Sequence, residues 1–300
     1  MFTRLFAESG LSLDRLRALL EVGAAGSIVK AADADPVRQS QYSRQIKELE
    51  DFFRARLIER QGKGTRLTAS GKELARISRF FLMGLSNFQR GCLAEEQTFR
   101  IGASATFIRQ FLLPALSALA PVEGGGARYA TETASDQEIE RRLHDLTLDF
   151  GVVVKATLSR PLQTRALGAW KLELWVPRAW GQSEPKPAQA FTAGQLPLAL
   201  ARKELDDLDL LPREQEAILE CDGFLEARAA MESRQLGALL PAFLAPAKSA
   251  KSFCRVHLPD LDSHAFNFHL AWNPRLLRLN PHAARRRDYL AVALAERVAR

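Results

Sequence analysis

Polar and cationic side chains recur along one predicted helix, between residues 37 and 53. Its apolar positions follow intervals of four, three and four, which places them on one side of an α-helix: Tyr42, Ile46, Leu49 and Phe53. The opposite side and its margin carry hydroxyl, guanidinium and ammonium groups: Ser40, Ser43, Arg44 and Lys47. Such groups donate hydrogen bonds to base edges and phosphates, so this helix is suited to reading the major groove of duplex DNA.

A basic β-hairpin is predicted directly after this helix. Two short extended segments, at residues 57–60 and 65–68, flank a Gly-Lys-Gly tip. Lys63 and Arg66 are placed to reach backbone phosphate or an adjacent minor groove. A short helix that starts at Ser27 precedes the reading helix, so the order predicts a winged helix-turn-helix. The alternative is an ordinary helical subdomain with a charged face, which does not account for the hairpin and the reading face together.

The same stretch resembles the DNA-binding domain of LysR-type transcriptional regulators. The resemblance rests on these residues: Gly26-Ser27, Ala31-Ala32, Val37, Gln39, Ser43-Arg44-Gln45-Ile46, Leu49-Glu50, Leu57, Glu59-Arg60, Gly64, Leu67-Thr68 and Gly71. Together with the polar helix face, it gives these candidate DNA-binding residues: Ser27, Gln39, Ser40, Gln41, Ser43, Arg44, Lys47, Lys63 and Arg66. The resemblance covers about the first quarter of the chain.

The chain departs from the family pattern at the start of the reading helix. Family members usually have a leucine at the position of Asp35, and a Ser-Gln-Pro at residues 38–40, so the usual serine cap is lost. Aspartate is a good N-cap and proline suits the first helical position, which makes Asp35-Pro36 a physical substitute. The helix is therefore predicted to begin about one turn earlier than in the family.

The composition is typical of a globular protein, and no export signal is expected. Apolar residues make up 47% and charged residues 26% of 300, no window approaches 18 consecutive apolar residues, and the first 16 residues lack a signal peptide's apolar run. Three scattered cysteines favour a reducing compartment. The net charge is +7, with eight Lys and Arg against four acids between residues 36 and 66. A cytoplasmic protein with a polyanionic partner is expected.

A long helix is predicted from residue 69 to about 93, capped by Thr68. Its apolar residues follow a near-heptad spacing, and these form a candidate dimer interface: Leu74, Ile77, Phe81, Leu85 and Phe88. The alternative is packing of this face on its own domain. The family resemblance implies a linker helix that forms dimers.

The rest of the chain alternates strands and helices. Strands are predicted at 99–104, 128–133 and 148–154, with helices at 106–119 and 137–144 between them, which indicates an α/β lobe with a parallel sheet. A strand at 167–177 leads to a second lobe with strands at 196–201 and 237–241 and a helix at 223–233. A strand at 264–272 and a helix at 282–300 complete the chain. The two lobes resemble the family's effector domain, which is built like a periplasmic binding protein.

These patterns give a division into domains. Residues 1–71 form the winged helix-turn-helix, 72–95 the linker helix, and 96–300 the effector-binding domain. Its first lobe is expected at about 96–165 and 264–300, and its second at about 166–263. The predicted class is α/β with an N-terminal DNA-binding domain.

Candidate effector-binding residues are Ser104, Thr106 and Arg202. The first two lie at a strand-to-helix junction, where hydroxyls and free amides hold anionic or carbonyl-bearing groups. Plain helix capping is the alternative for them, and an ordinary surface arginine is the alternative for Arg202. The histidines lack zinc-site spacing, and no phosphate loop or nucleophile elbow is present, so no metal, cofactor or catalytic residue is expected.

The sequence thus predicts a DNA-binding transcriptional regulator controlled by a small-molecule effector, assembled as a homodimer or tetramer and not bound to a membrane. It is not expected to be an enzyme. One alternative is an architectural DNA-binding protein or constitutive repressor whose lobes bind no effector. Another is a cytoplasmic solute-binding α/β protein with an accessory helical domain.

Overall fold

A computed structural model describes residues 5, 10–62, 64–93, 97–117, 127–182, 185–208, 218–246 and 252–299. The chain divides into two compact units, Met1–Ala94 and Glu95–Arg300. Across the described residues, no helix combines the length and apolar character needed to cross a bilayer.

The N-terminal unit is a winged helix-turn-helix followed by a long helix. Its elements are α1 (Leu13–Ala25), α2 (Ile28–Ala31), α3 (Pro36–Phe53), β1 (Ile58–Gln61), β2 (Gly64–Leu67) and α4 (Ala69–Leu93). The two strands pair antiparallel, from Ile58 opposite Leu67 to Gln61 opposite Gly64. The prediction of helix, turn, helix and hairpin is therefore confirmed, whereas Lys63 at the tip lies outside the described residues.

The apolar side of α3 is buried against α1, as its spacing predicts. One cluster joins Leu16 and Leu19 of α1 to Leu49, Leu57 and Ala75. A second cluster contains Ala18, Val22, Ala32, Tyr42 and Ile46. Burial of this stripe orients the opposite, polar side of α3 toward solvent.

Gly71 allows α4 to lie directly against the start of the hairpin. A Cβ at this position would sit 2.0 Å from the carbonyl oxygen of Leu57, a distance that no side chain tolerates. The Thr68 hydroxyl accepts a hydrogen bond from the Gly71 amide at 3.0 Å and donates one to the Arg56 carbonyl at 2.7 Å. The expected Thr68 cap therefore forms, and it also joins α4 to the residues before β1.

The first lobe of the second unit contains a mixed five-stranded sheet. Its strands are β3 (Gln97–Ala103), β4 (Ala127–Thr133), β5 (Phe150–Val153), β6 (Gln163–Trp170) and β12 (Phe266–Trp272), in the order β4-β3-β5-β12-β6. β3 is parallel to β4 and β5, whereas β12 is antiparallel to β5 and β6. The predicted parallel arrangement of the first three strands is thus confirmed, and the sheet becomes mixed because β12 enters from the second lobe and runs in the opposite direction.

Helices cover this sheet. They are α5 (Ala105–Phe107), a π-helix (Ile108–Leu112), α6 (Leu113–Ser117), α7 (Asp136–His144), α12 (Pro274–Leu279) and α13 (Pro281–Val298). The single helix predicted for 106–119 is therefore divided near Pro114. A proline cannot donate to the carbonyl four residues earlier, and the helix widens into a π turn just before it.

The second lobe contains another five-stranded sheet. Its strands are β7 (Leu172–Pro177), β8 (Leu198–Ala201), β9 (Leu219–Cys221), β10 (Gly237–Pro241) and β11 (Phe253–Val256), in the order β11-β7-β10-β8-β9. Its helices are α8 (Pro187–Thr192), α9 (Arg202–Asp206), α10 (Phe224–Arg234) and α11 (Pro259–Ser263), with 3-10 turns at Arg178–Gln182 and Ala242–Leu244.

The first crossing between the lobes lies at Lys171, between β6 and β7. The sequence places it near residue 165, just before a single strand predicted at 167–177. That boundary is corrected, since β6 pairs with β12 along its whole length and belongs to the first sheet. The second crossing follows α11, near the expected residue 263.

Candidate functional site

The reading helix begins where Asp35 caps it. The Asp35 carboxylate accepts hydrogen bonds from the Val37 amide at 2.8 Å and the Arg38 amide at 3.4 Å, and Pro36 occupies the first turn. The predicted early start of this helix is therefore confirmed. Local chemistry explains it, because an aspartate satisfies first-turn amides that lack partners within the helix.

The solvent side of α3 holds most of the candidate DNA-binding residues. Those exposed are Ser40, Gln41, Ser43, Arg44 and Lys47, and Gln39 is half-buried. The side chain of Arg44 is 74% exposed, and its Nε lies 3.9 Å from a Glu48 carboxylate oxygen. A long, exposed ion pair of this kind is weak, so the guanidinium is available to another acceptor.

The candidate residues outside α3 have different surroundings. Ser27 is half-buried before α2, and its hydroxyl makes no capping bond. Arg66 donates to Glu59 across the hairpin at 2.6 Å, so its charge is already partly neutralised. The Thr65 amide donates to the Gly26 carbonyl at 2.9 Å, which attaches β2 to the turn before α2. The β1–β2 hairpin, residues 58–67, is the wing of this domain, and it is therefore attached directly to the helix-turn-helix.

The long helix α4 has two apolar sides. Leu74 packs with the core cluster of its own domain, beside Ala75 and Leu82. Leu74 is only partly buried there, so a contact with a partner subunit stays a prediction for this residue. The other four predicted interface residues form an exposed stripe: Ile77 (52% exposed), Phe81 (49%), Leu85 (44%) and Phe88 (74%). An apolar stripe of this length on a single helix indicates a surface that meets another apolar surface.

Ser104 and Thr106 line a cavity between the two lobes of the second unit. Its volume is about 20 Å³, which is enough for a single water molecule. The Ser104 hydroxyl accepts a hydrogen bond from the Phe107 amide at 3.2 Å and so caps α5. Aromatic side chains form much of the remaining wall: Trp170, Phe224, Phe243 and Phe268.

Glu204 of the second lobe occupies the place predicted for an anionic effector. One carboxylate oxygen lies 3.3 Å from the Thr106 amide, and the other accepts from the Thr106 hydroxyl at 2.8 Å. The second oxygen also accepts from the Phe224 amide at 2.7 Å. The Thr106 hydroxyl is therefore not a helix cap, and an incoming anion would meet a carboxylate already bound there.

Two further carboxylates line this cavity, Asp136 of the first lobe and Asp207 of the second. Burial, opposed by hydrogen bonds from the Lys155 and Val154 amides, raises the pKa of Asp136 to about 6, and the charge of Asp207 adds to the rise. Burial also raises the pKa of Asp207, with a contribution from the charge of Glu204. The wall, as far as the structure describes it, contains no lysine or arginine to neutralise them.

Arg202 does not line the cavity. Its guanidinium pairs with Glu220 on β9, with nitrogen-to-oxygen distances of 3.0 and 3.1 Å. The expectation that it faces the cleft is corrected, because the side chain two positions later, Glu204, does so instead. Glu204, Asp136 and Asp207 were not identified from the sequence. The only sequence signal for Glu204 is its place directly after a buried strand, where ligand-binding residues of α/β lobes lie.

The chain belongs to the lysR family of bacterial regulatory helix-turn-helix proteins. Residues 13–72 match the family's helix-turn-helix model, and residues 94–294 match the model of the LysR substrate binding domain.

The individual proteins compared with this chain have low sequence identity to it. The transcriptional regulator HdfR of Salmonella typhimurium is 26% identical over 170 residues, which is 55% of this chain and 61% of HdfR. The crystal structure of ArgP from Mycobacterium tuberculosis superposes with a TM-score of 0.66 at 22% identity, covering 95% of this chain and 97% of ArgP. Full-length LysG from Corynebacterium glutamicum, with bound effector Arg, gives a TM-score of 0.64 at 17% identity, covering 96% and 98%. These two structures share the fold.

Proposed function

We propose that this chain is a sequence-specific DNA-binding transcriptional regulator whose affinity or geometry on DNA is set by the state of its two-lobed domain. The observation that carries the proposal is the polar side of α3, which is exposed while the opposite side is buried in the domain core. A helix held in this way presents donors to base edges. The chain would act by binding, with no catalytic step, in the cytoplasm where its DNA is found.

The DNA contacts divide by chemistry. Arg44 and Ser40 are assigned to base edges, because they lie exposed on the side opposite Tyr42 and Ile46. Lys47 is assigned to phosphate, as are Lys63 and Arg66 of the wing. The Arg66 contribution is expected to be small, because its ion pair with Glu59 would have to be shared or broken.

Pairing of two subunits is assigned to the exposed stripe of α4. Ile77, Phe81, Leu85 and Phe88 follow intervals of four, four and three, close to a coiled-coil seam. Two such helices would cover one another's apolar stripe and place two reading helices on adjacent half-sites. This pairing would give a homodimer, and two such dimers would give a tetramer.

Control by a small molecule is assigned to the cavity that Ser104 and Thr106 line. The fold neighbour LysG contains its effector Arg. In this chain the effector would shift the population of lobe arrangements by binding one of them more tightly. A second candidate, a regulator that needs no effector, is favoured by one observation: side chains of the chain itself already fill the cavity.

The test is selection of genomic fragments by the purified chain, followed by anisotropy titration with the recovered sequence and a scrambled duplex. Preference for the recovered sequence of a hundredfold or more at physiological salt supports the proposal. Equal affinity for both duplexes over a range of salt would contradict it. Adding metabolite mixtures to the same titration distinguishes effector control from effector-independent binding.

A further inference from the structure

The contact between Glu204 and Thr106 joins residues of opposite lobes. Glu204 lies in the short helix after β8, and Thr106 in the helix after β3. The Glu204 carboxylate accepts three hydrogen bonds, from the Thr106 hydroxyl and from the amides of Thr106 and Phe224. Both amides belong to first turns of helices, so neither has a partner within its own helix. A carboxylate with three donors is well satisfied, and such bonds are among the strong ones.

The space around this contact is filled by neighbouring side chains. Trp170 stacks on Phe268 with 5.2 Å between ring centroids, and Phe243 of the second lobe contacts both rings at 5.9 and 6.1 Å. Only about 20 Å³ remains open. The aromatic rings and one carboxylate therefore take up the volume in which a small carboxylic acid would be held.

We infer that Glu204 is an internal ligand of the cleft: it holds the two lobes together without an effector and determines specificity by excluding free carboxylates from the Thr106–Phe224 position. The inference rests on the proposed function, because it assigns the state of the effector site. The inference goes beyond the proposed function because it makes the lobe arrangement with the Glu204–Thr106 contact a property of the unliganded chain. An effector can then bind in two ways. It displaces the Glu204 carboxylate, or it leaves this carboxylate in place and donates a hydrogen bond to it.

The inference predicts chemical rescue. Glu204→Ala removes the carboxylate and leaves room for acetate, which carries the same carboxylate on a methyl group. The full-length variant should unfold about 4 °C or more below the unsubstituted chain. Sodium acetate should recover at least half of this loss, compared with sodium chloride at equal ionic strength. The unsubstituted chain should show no acetate-specific shift, because Glu204 already fills the position.

Glu220→Ala is the matched control, since it removes an exposed carboxylate of the same lobe, 60% exposed on β9. It should show no acetate-specific recovery. The inference is overturned if acetate raises the unfolding temperature of Glu204→Ala no more than chloride does. So does an equal acetate effect on Glu220→Ala, which would show general stabilisation by the anion.

A second measurement applies if Glu204→Ala does not fold. Glu204→Gln keeps the size of the side chain but has one carbonyl oxygen for three donors. At least one of the two amides, that of Thr106 or that of Phe224, should then exchange its hydrogen at least tenfold faster than in the unsubstituted chain. Unchanged protection of both amides would overturn the inference. Neither measurement involves DNA, so a failure of the proposed regulator function is recognised separately, by the duplex titration.

Discussion

The backbone amide of Asp136 donates a hydrogen bond to the carboxylate of Asp207 at 3.4 Å, across the cleft between the lobes. The Asp136 carboxylate is itself held by the amides of Val154 and Lys155, at 2.9 and 3.0 Å. Two acidic side chains are thus fixed near one another in a wall that also contains Glu204. Their charges repel, and burial increases the free-energy cost of ionising them.

The contribution of Asp136 to the stability of the two-lobed unit should decrease as pH rises from about 4 to 6. The pKa of Asp136 is about 6 in the folded chain against an ordinary 3.8, so within this window the folded chain binds more protons than the unfolded one. The effect is complete above pH 6 and amounts to roughly 3 kcal/mol at most. Asp136→Asn, which keeps one oxygen acceptor, should therefore be more stable than the unsubstituted chain at pH 7.5 and similar to it below pH 4.

Urea unfolding at pH 4.0, 5.5 and 7.5 measures this difference. Asp260→Asn is the control, because Asp260 is exposed at the start of α11, and it should keep the pH profile of the unsubstituted chain. Identical pH profiles for Asp136→Asn and the unsubstituted chain would show that Asp136 is ionised without cost.

Substitution of Arg44 and of Lys47 should have different consequences for DNA binding. Arg44→Ala removes a base contact and should cost roughly 1–3 kcal/mol on the preferred sequence, with relaxed preference at one base pair. Lys47→Ala removes a phosphate contact and should weaken all sequences alike, reducing the salt slope by about one unit. Arg17→Ala on the exposed side of α1 is the control. Anisotropy titrations against single-base variants of the duplex measure both effects, and unchanged selectivity of Arg44→Ala would remove the base-reading assignment.

Phe81→Glu should convert the protein to monomers. The residue is the centre of the exposed α4 stripe, and a carboxylate there would be buried in the seam without a partner. Lys72→Glu introduces the same charge on the opposite side of α4 and should leave the assembly intact. Light scattering measures the mass of each variant. A Phe81→Glu protein with the mass of the unsubstituted assembly would place the subunit contact elsewhere.

Asp35→Ala should destabilise the N-terminal domain by about 1 kcal/mol, because two first-turn amides lose their acceptor. Asp35→Asn keeps a capping oxygen and should cost much less. Thermal unfolding of both variants, followed by circular dichroism, gives the comparison. An equal loss in both would mean that the charge of Asp35, and not its capping bond, stabilises the start of α3.

The N-terminal domain follows from local sequence signals. The spacing of Tyr42, Ile46 and Leu49 predicts which side of α3 is buried, and Asp35-Pro36 predicts where the helix begins. These features depend on residues within a few turns of one another. Leu74 is less well determined, because a near-heptad pattern does not reveal that this residue also packs against the core of its own domain.

The cleft depends on contacts between distant residues and could be predicted only in part. Ser104 and Thr106 follow from a strand-to-helix junction, and both line the cavity. Their partner Glu204 lies 98 residues away from Thr106, and only the packing of two sheets brings it there. The antiparallel β12 has the same origin, since its direction is set by the second crossing between lobes.

The contact of Gly71 with Leu57 has a mechanical consequence. Because no side chain separates the start of α4 from the residues before β1, the wing and the long helix cannot slide past one another without losing the Thr68 bonds. A rotation of α4 would therefore move the hairpin with it. In an assembly built on α4, the distance between the two wings would be set by the rotation of the helix pair.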